Sequence, residues 1–260
     1  LDPEPLVRAA ALRALEGLPP QNRLHAARLL SDEVRLVRIE AARALAPVPL
    51  SAIPDAARPA FARAWEELLA SERVAAERPE SHVNIAALLA QRGDQAGAEA
   101  AYRAALARDP AFLPALVNQA AFEEARGRRD AAEALLRRAV AAHPAEAEPL
   151  HVLALLQVRR GRIAEATEAL AGAAALAPDQ PRYAYTHALA LHRLGRVDEA
   201  LAVLARHPRH RESMIAAATF ERDRGRLAEA ERHARAVLAL DPQDREAAAL
   251  LGEVARRAAQ

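Results

Sequence analysis

The chain of 260 residues contains no cysteine and no lysine, and aromatic residues make up only 3% of it. Without cysteine it can form no disulfide, no thiolate metal site and no covalent link to a c-type haem. Few aromatic and β-branched residues disfavour a sheet, whereas Ala and Leu, which supply most of the apolar residues, favour helices. The composition therefore predicts an all-α protein.

The charges are nearly balanced, with 36 arginines against 35 Asp and Glu residues and a formal net charge of +1. A protein that holds nucleic acid through phosphate contacts usually carries a clear basic excess. No apolar run approaches the length needed to span a membrane. We therefore expect no nucleic-acid partner and no membrane insertion.

Glycine and proline recur at fixed spacing in the C-terminal two-thirds of the chain. The glycines are separated by 34, 34, 34 and 30 residues, and in four cases a proline follows 17 residues later. A glycine suits the left-handed residue that closes a helix, and a proline stops the helix that follows. The pattern predicts a series of helix pairs. The glycines are Gly93, Gly127, Gly161, Gly195 and Gly225, and the prolines are Pro110, Pro144, Pro178 and Pro242.

These repeats resemble the tetratricopeptide repeat (TPR) family, whose period is 34 residues. Alanine occupies the eighth and the twentieth position of every unit, where the resemblance places the crossing of two helices. The implied fold is a right-handed α-solenoid of TPR helix pairs with a short HEAT-like N-terminal section. The predicted units are 79–112, 113–146, 147–180, 181–210 and 211–244, and 245–260 is predicted as a C-terminal capping helix.

The fourth unit departs from the pattern, because Pro208 follows Gly195 by 13 residues rather than 17. Four residues are about one helical turn. We therefore expect the second helix of this unit to be one turn short, with a local change of twist between the fourth and fifth units.

The N-terminal third carries a different repeat, in which Val7–Leu15 aligns with Val37–Leu45 at an offset of 30 residues. Asp2 and Asp32 each precede an aligned arginine by six residues. This pattern resembles the short HEAT-like repeat, whose Asp and Arg usually hydrogen-bond along the stack. Residues 1–46 are predicted to be HEAT-like.

The chain opens midway through such a unit, so we expect it to be the C-terminal piece of a longer protein with more of these units upstream. Residues 47–78 are predicted as a proline-rich connector and a linking helix over roughly 56–77. In this helix Phe61, Trp65, Leu68 and Leu69 share one face. Trp65 is expected to pack the helix against the first TPR helix.

No catalytic motif is present: the chain has no phosphate loop, no nucleophile elbow and no His-Glu-x-x-His pair. His207 and His210 could share a metal ion, but two ligands without a third are weak evidence for a site. We predict no catalytic residue, no metal and no cofactor, and therefore not an enzyme.

The TPR resemblance implies a concave groove lined by residues two, five, six, nine, twelve and thirteen of each unit. Asn84 and Asn118 share the sixth position, where an amide either holds an extended peptide backbone or hydrogen-bonds to the neighbouring repeat. The basic and aromatic end of the groove would suit an acidic or carboxylate-bearing segment. The predicted partner-binding residues are Asn84, Asn118, His151, Arg159, Tyr185, His192, Arg193 and Arg222.

Three functions are open at this stage. The first is a protein–protein interaction scaffold that binds a peptide or a partner domain in the TPR groove. The second follows from a resemblance of residues 30–50 and 78–118 to the C-terminal region of bacterial multihaem c-type cytochrome-like proteins, and implies an accessory region of a larger redox protein. That reading places the protein in the periplasm, whereas the other readings place it in the cytoplasm. The third is self-association.

Overall fold

Residues 2–259, which the computed structural model describes, form fifteen α-helices and four short 3-10 segments and contain no strand. The chain divides into two compact units, Leu1–Leu135 and Leu136–Gln260, called unit 1 and unit 2 below. The boundary falls within helix α8, Arg129–Ala142. None of the described helices is long and apolar enough to cross a membrane.

Unit 1 begins with short helices and continues with regular helix pairs. Proline occupies the first turn of α1, α2, α4, α5 and α7, where its fixed φ suits a helix start. The helices are α1 Pro5–Ala14, α2 Pro20–Arg23, α3 Arg35–Leu45, α4 Arg58–Arg73, α5 Pro79–Gln91, α6 Gln95–Arg108 and α7 Leu113–Ala125. The 3-10 segments are Leu15–Gly17, Leu24–Leu29, Leu50–Ala52 and Asp55–Ala57.

Unit 2 consists of helix pairs in which each helix packs on its neighbour in the sequence, and α11 and α13 also pack on the next helix but one. This packing is that of an α-solenoid, so the predicted fold class is confirmed. The helices are α9 Ala147–Arg159, α10 Ile163–Leu176, α11 Pro181–Arg193, α12 Val197–Leu204, α13 Arg211–Asp223, α14 Leu227–Leu240 and α15 Arg245–Ala258.

The five periodic glycines occupy the turns within the helix pairs, and all have φ between 75° and 78°. At one such turn the Arg128 N–H donates to the Glu123 carbonyl at 2.9 Å and the Gly127 N–H donates to the Glu124 carbonyl at 2.8 Å. These are the two hydrogen bonds that close a helix through a left-handed residue. The sequence prediction for these turns is confirmed.

Alanine at the eighth and twentieth positions is buried in every helix pair. All ten of these alanines are at most 1% exposed. A methyl group lets two helices approach, whereas a larger side chain would force them apart. The alanines are Ala86, Ala98, Ala120, Ala132, Ala154, Ala166, Ala188, Ala200, Ala218 and Ala230.

Helix α12 has eight residues, whereas α6, α8, α10 and α14 each have fourteen. Six residues are roughly one and two-thirds turns, so the shortening exceeds the single turn that the proline spacing predicts. The missing turns leave a cavity of about 440 Å³ against α13 and α14, with Leu204, Met214 and Ala217 among its walls. The change of twist beyond this point stays a prediction.

Helices α1, α3 and α4 of unit 1 form a stack held by arginines. The Arg8 guanidinium donates two hydrogen bonds to the Asp32 carboxylate, both at 2.9 Å, and further bonds to the carbonyls of Asp2 and Pro3. The predicted hydrogen bond between Arg and Asp along the stack is therefore present. One layer further on, Arg38 pairs in the same way with Glu67 of α4, at 2.8 and 3.0 Å.

A second set of ion pairs runs beside the first. Arg13 donates to Glu40 at 2.7 Å and Arg43 donates to Glu72 at 2.8 Å. The two arginines are 30 residues apart, as are Arg8 and Arg38. Helix α4 thus forms the third layer of the stack.

Helix α4 is shorter than the predicted 56–77 at both ends. Trp65 lies half-buried on α4, with its ring 6.0 Å from that of Phe61. The Arg92 guanidinium, just after α5, lies 6.0 Å from the Trp65 ring centroid and 4.9 Å from that of Phe61. The side chain of Trp65 therefore meets the C-terminal end of the first TPR helix, as the sequence predicts.

Candidate partner-binding surfaces

Asn84 lies on α5 at the edge of a polar pocket of about 290 Å³ in unit 1. Its Nδ2 donates to Glu72 at 3.0 Å, and the other oxygen of that carboxylate accepts from Arg43. The Asn84 side chain therefore binds the neighbouring layer, which is one of the two roles that the sequence left open. The pocket is lined by Glu16, Arg23, Arg43, Asn84, Ala87, Leu88 and Gln91.

Asn118, at the equivalent position of α7, is exposed. Within residues 2–259 its side chain makes no hydrogen bond. The two asparagines thus have different surroundings although their positions in the repeat are the same. Asn118 is the one whose amide can hold a peptide backbone without losing an internal partner.

His151 of α9 is half-buried, and its ring packs edge-on against Tyr183 at 5.0 Å between centroids. The Arg182 guanidinium lies over the Tyr183 ring, 4.5 Å from the ring centroid. Burial lowers the pKa of His151, and the charge of Arg182 lowers it further. His151 is therefore neutral at neutral pH and does not add a positive charge to the surface.

Tyr185 of α11 packs edge-on against His210, with ring centroids 6.1 Å apart. Burial raises the pKa of Tyr185, and the nearby carboxylates of Glu212 and Glu246 raise it further. His210 caps α13, since its Nδ1 lies 2.8 Å from the Ser213 hydroxyl and also accepts from the Ser213 backbone N–H. Tyr185 therefore lies near carboxylates, one of which, that of Glu246, pairs with Arg211 at 2.8 Å.

The Nε2 atom of His210 lies 3.0 Å from a Glu212 oxygen, so both ring nitrogens already have protein partners. Among the described residues there is no group of three or more His, Asp or Glu side chains arranged to hold a metal ion. His210 therefore has a structural role as the cap of α13.

His192 and Arg193, at the end of α11, line a pocket of about 260 Å³ between α9, α10 and α11. The His192 ring stacks on Phe220 with centroids 3.8 Å apart and planes 6° apart. The Arg193 side chain is exposed at the rim. The remaining walls are mostly aliphatic: Leu155, Val158, Leu170, Thr186, Leu189 and Ala190. This apolar pocket therefore lies beside a cation, on positions that the TPR resemblance assigns to the groove.

Arg222 and Arg159 do not take part in this pocket. Arg222 of α13 donates to Asp223 and to Glu253 of α15, each at 2.9 Å, and its side chain is 17% exposed. Arg159 is exposed at the end of α9. The structure thus brings together His192 and Arg193 but places Tyr185 beside His210 and Arg222 beside Glu253.

The aliphatic walls of the pocket are absent from the predicted partner-binding set. Leu155 and Val158 occupy the ninth and twelfth positions of the third unit, which the TPR resemblance assigns to the groove. The signal that would have found them is the same positional rule, applied to apolar as well as polar residues.

Two family models match parts of the chain. Residues 79–112 match a tetratricopeptide repeat model, and residues 125–207 match the model of subunit 3 of the anaphase-promoting complex, or cyclosome. The chain contains tetratricopeptide repeats. No curated protein sequence matches it, and the HEAT-like and cytochrome resemblances stay predictions.

Several solved structures share the TPR fold with this chain. MamA protein aligns with a TM-score of 0.53 at 21% identity, over 62% of this chain and 90% of MamA. YrrB, a TPR protein with an unusual peptide-binding site, aligns with a TM-score of 0.52 at 19% identity, over 66% of this chain and 90% of YrrB. PilF of Pseudomonas aeruginosa aligns with a TM-score of 0.54 at 17% identity, over 83% of this chain and 99% of PilF. At these identities the likeness shows the fold alone.

Proposed function

We propose that this chain is a protein-interaction module that binds an extended peptide segment on unit 2. The pocket between α9, α10 and α11 takes an apolar side chain of the peptide, and Arg193 at its rim pairs with a carboxylate nearby in the same peptide. The observation that carries this proposal is the aliphatic pocket at the predicted groove positions, with an exposed arginine beside it.

The apolar contact supplies most of the expected affinity. Burial of a leucine-sized side chain contributes about 1.5–3 kcal/mol, whereas an exposed ion pair contributes about 0.2–1 kcal/mol. The Arg193 guanidinium forms no ion pair within residues 2–259, so binding a carboxylate of the peptide costs no internal contact. Charge therefore sets the orientation of the peptide and the pocket sets its affinity.

The peptide-binding site of YrrB is a precedent on a related fold. It supports peptide binding as a use of such a helix stack but says nothing about the sequence that this chain prefers.

A panel of fluorescein-labelled decapeptides tests the proposal by fluorescence anisotropy. One group carries Leu and Asp two residues apart, a second carries Leu and Arg, and a third carries Ala and Asp. We expect the first group to bind best and the third to bind worst, since the pocket contributes more than the charge.

Three variants test whether the peptide binds at this pocket. Thr186→Phe fills the pocket and is expected to weaken binding roughly tenfold or more, which corresponds to about 1.4 kcal/mol. Arg193→Glu is expected to weaken only the Asp-containing peptides, and Arg209→Glu is the matched control, because Arg209 is exposed outside the pocket. Equal binding by wild type and Thr186→Phe would contradict the proposal.

A further inference from the structure

The outer face of α1 has the composition of a buried interface. Helices α1 and α3 are equivalent at an offset of 30 residues, and α3 packs on α1. Val37, Ala41 and Ala44 of α3 are all 0% exposed. Their counterparts on α1, Val7, Ala11 and Ala14, are all exposed.

The exposed apolar area on α1 is considerable. Leu6 is 66% exposed and Val7 is 48% exposed, whereas Leu36, the counterpart of Leu6, is partly buried. Positions that are buried in both helices, such as Ala9 and its counterpart Ile39, face either the other residues of the same layer or the layer that follows. The positions that differ therefore mark the side on which α3 has a preceding layer and α1 has none.

The turn before α1 repeats the turn before α3. The Glu4 N–H donates to the Asp2 carboxylate at 2.8 Å, and the Val34 N–H donates to the Asp32 carboxylate at 2.9 Å. Arg8 binds the carbonyl of Asp2, just as Arg38 binds the carbonyl of Asp32.

One contact is missing from this repetition. Asp32 accepts two hydrogen bonds from Arg8, the arginine of the preceding layer. Asp2 receives no ion pair from any of the described residues. Its carboxylate is held by its own turn in the orientation that, one layer on, binds a guanidinium.

We infer that the face formed by Asp2, Leu6, Val7, Ala11 and Ala14 binds one more helical repeat of the same 30-residue type, which continues the stack. An arginine of that repeat pairs with the Asp2 carboxylate through two hydrogen bonds, and its apolar side covers Leu6 and Val7. The occupant follows from continuity with the interface between α1 and α3 and from the unpaired carboxylate. The inference does not depend on the proposed peptide site in unit 2.

A second copy of the chain is a poorer occupant. Parallel face-to-face pairing of two α1 helices would bring the two Asp2 carboxylates together. The nearest arginines of the stack could not compensate, because Arg8 is bound by Asp32 and Arg13 by Glu40.

The test adds a copy of residues 2–31 directly ahead of Asp2. Ser31 of the copy then precedes Asp2 as the native Ser31 precedes Asp32, and the Arg8 of the copy faces the Asp2 of the chain. We expect amide hydrogen exchange within 5–14 of the chain to slow by roughly tenfold or more, because a covered helix opens less often.

Two charge variants distinguish protection that requires the arginine–aspartate pair from protection that any added helix would give. Arg8→Glu in the copied segment should remove most of the protection, and Asp2→Arg in the chain should restore it by swapping the pair. If the copy stays unfolded, or if the charge variants protect α1 equally, the inference is wrong. Sedimentation that shows a dimer of the unextended chain, abolished by Val7→Glu, would also overturn it in favour of a second copy.

Discussion

The N-terminal stack of α1, α3 and α4 and the helix pairs of unit 2 are both made of layered helices, but the contacts that recur at the same position of each repeat differ. In the stack each layer is joined to the next by arginine–carboxylate pairs, such as Arg8 with Asp32 and Arg38 with Glu67. In unit 2 the helices meet at fully buried alanines such as Ala154 and Ala188.

The difference predicts different sensitivities. A bidentate ion pair fixes the register of two helices, and the loss of one partner leaves the other without its compensating charge. An alanine contact has no charge to lose but no room for added volume. The first region is therefore sensitive to neutralised charge, and the second is sensitive to enlarged side chains.

The largest effect is expected from Ala154→Leu in unit 2. Three additional carbon atoms at a helix crossing without free space should lower the free energy of unfolding by about 1–3 kcal/mol. Ala175→Leu, at an exposed site of α10, is the control and should be nearly neutral. Urea denaturation followed by circular dichroism measures both, and equal stabilities would show that the crossing can expand.

The second effect concerns the stack. Arg8→Met removes the partner of Asp32, whose side chain is only 7% exposed, and should lower the melting temperature because a poorly solvated carboxylate is left unpaired. Arg235→Met breaks the pair with Glu231, whose side chains are 69% and 39% exposed, and should change the melting temperature little. Similar shifts in melting temperature for both variants would mean that the pair between Arg8 and Asp32 stabilises the fold no more than a surface ion pair does.

A smaller effect is expected at the turn glycines, which distinguish the TPR pairs from the stack. Gly195 has φ near 75°, and nothing lies within 4 Å of an added Cβ. Gly195→Ala should therefore lose about 1–2 kcal/mol of unfolding free energy through backbone strain alone. Gly17→Ala, where φ is not positive and space is also open, should cost nothing or stabilise slightly. Thermal melts of the two variants give the comparison.

The smallest effect is a pH dependence that differs between the units. Unit 2 contains three half-buried histidines, His151, His187 and His233, and burial lowers the pKa of each, with neighbouring arginines lowering it further. An unfolded histidine titrates near about 6.5. Below that pH the unfolded chain binds more protons than the folded chain, so the stability of unit 2 falls as pH decreases from neutrality.

The carboxylates of the stack respond at lower pH. Hydrogen bonds from Arg8 and Arg38 hold the pKa of Asp32 and the pKa of Glu67 below their usual values. Their contribution is present above the unfolded pKa of about 4 and is lost only as pH falls through the folded pKa. Between pH 7 and 5, urea melts followed by Trp65 fluorescence, which reports on unit 1, should therefore shift less than melts followed by circular dichroism. Equal shifts by the two probes would contradict this, and His187→Gln should reduce the difference.

Local features of the fold could be predicted from the sequence because they depend on neighbours in the chain. A glycine at the end of a helix fixes a left-handed turn by its own backbone preference, so Gly93 and its four successors mark the turns correctly. Alanine at fixed positions marks the helix crossing for a similar reason. The proline spacing shows where α12 is short but underestimates by how much, since the end of a helix also depends on what packs against it.

Long polar side chains could not be assigned in this way. Arg38 pairs with Glu67 and Asn84 binds Glu72, although the repeat pattern alone offers each of them several partners. Among the predicted groove residues, the structure leaves His192 and Arg193 at one pocket and ties Arg222 to Glu253. A flexible side chain has many rotamers within reach of a partner, and only the packed neighbours select one.

The sequence by itself therefore determined the class of fold, the position of the glycine turn within each TPR-like helix pair and the alanines that are buried between its helices. These follow from backbone torsion preferences and from side-chain volume, which act over a few residues. The tertiary structure decided which charges pair across layers, how far α12 extends and where an apolar pocket opens beside Arg193. Those outcomes depend on distances between residues far apart in the chain, which are set only when the layers pack.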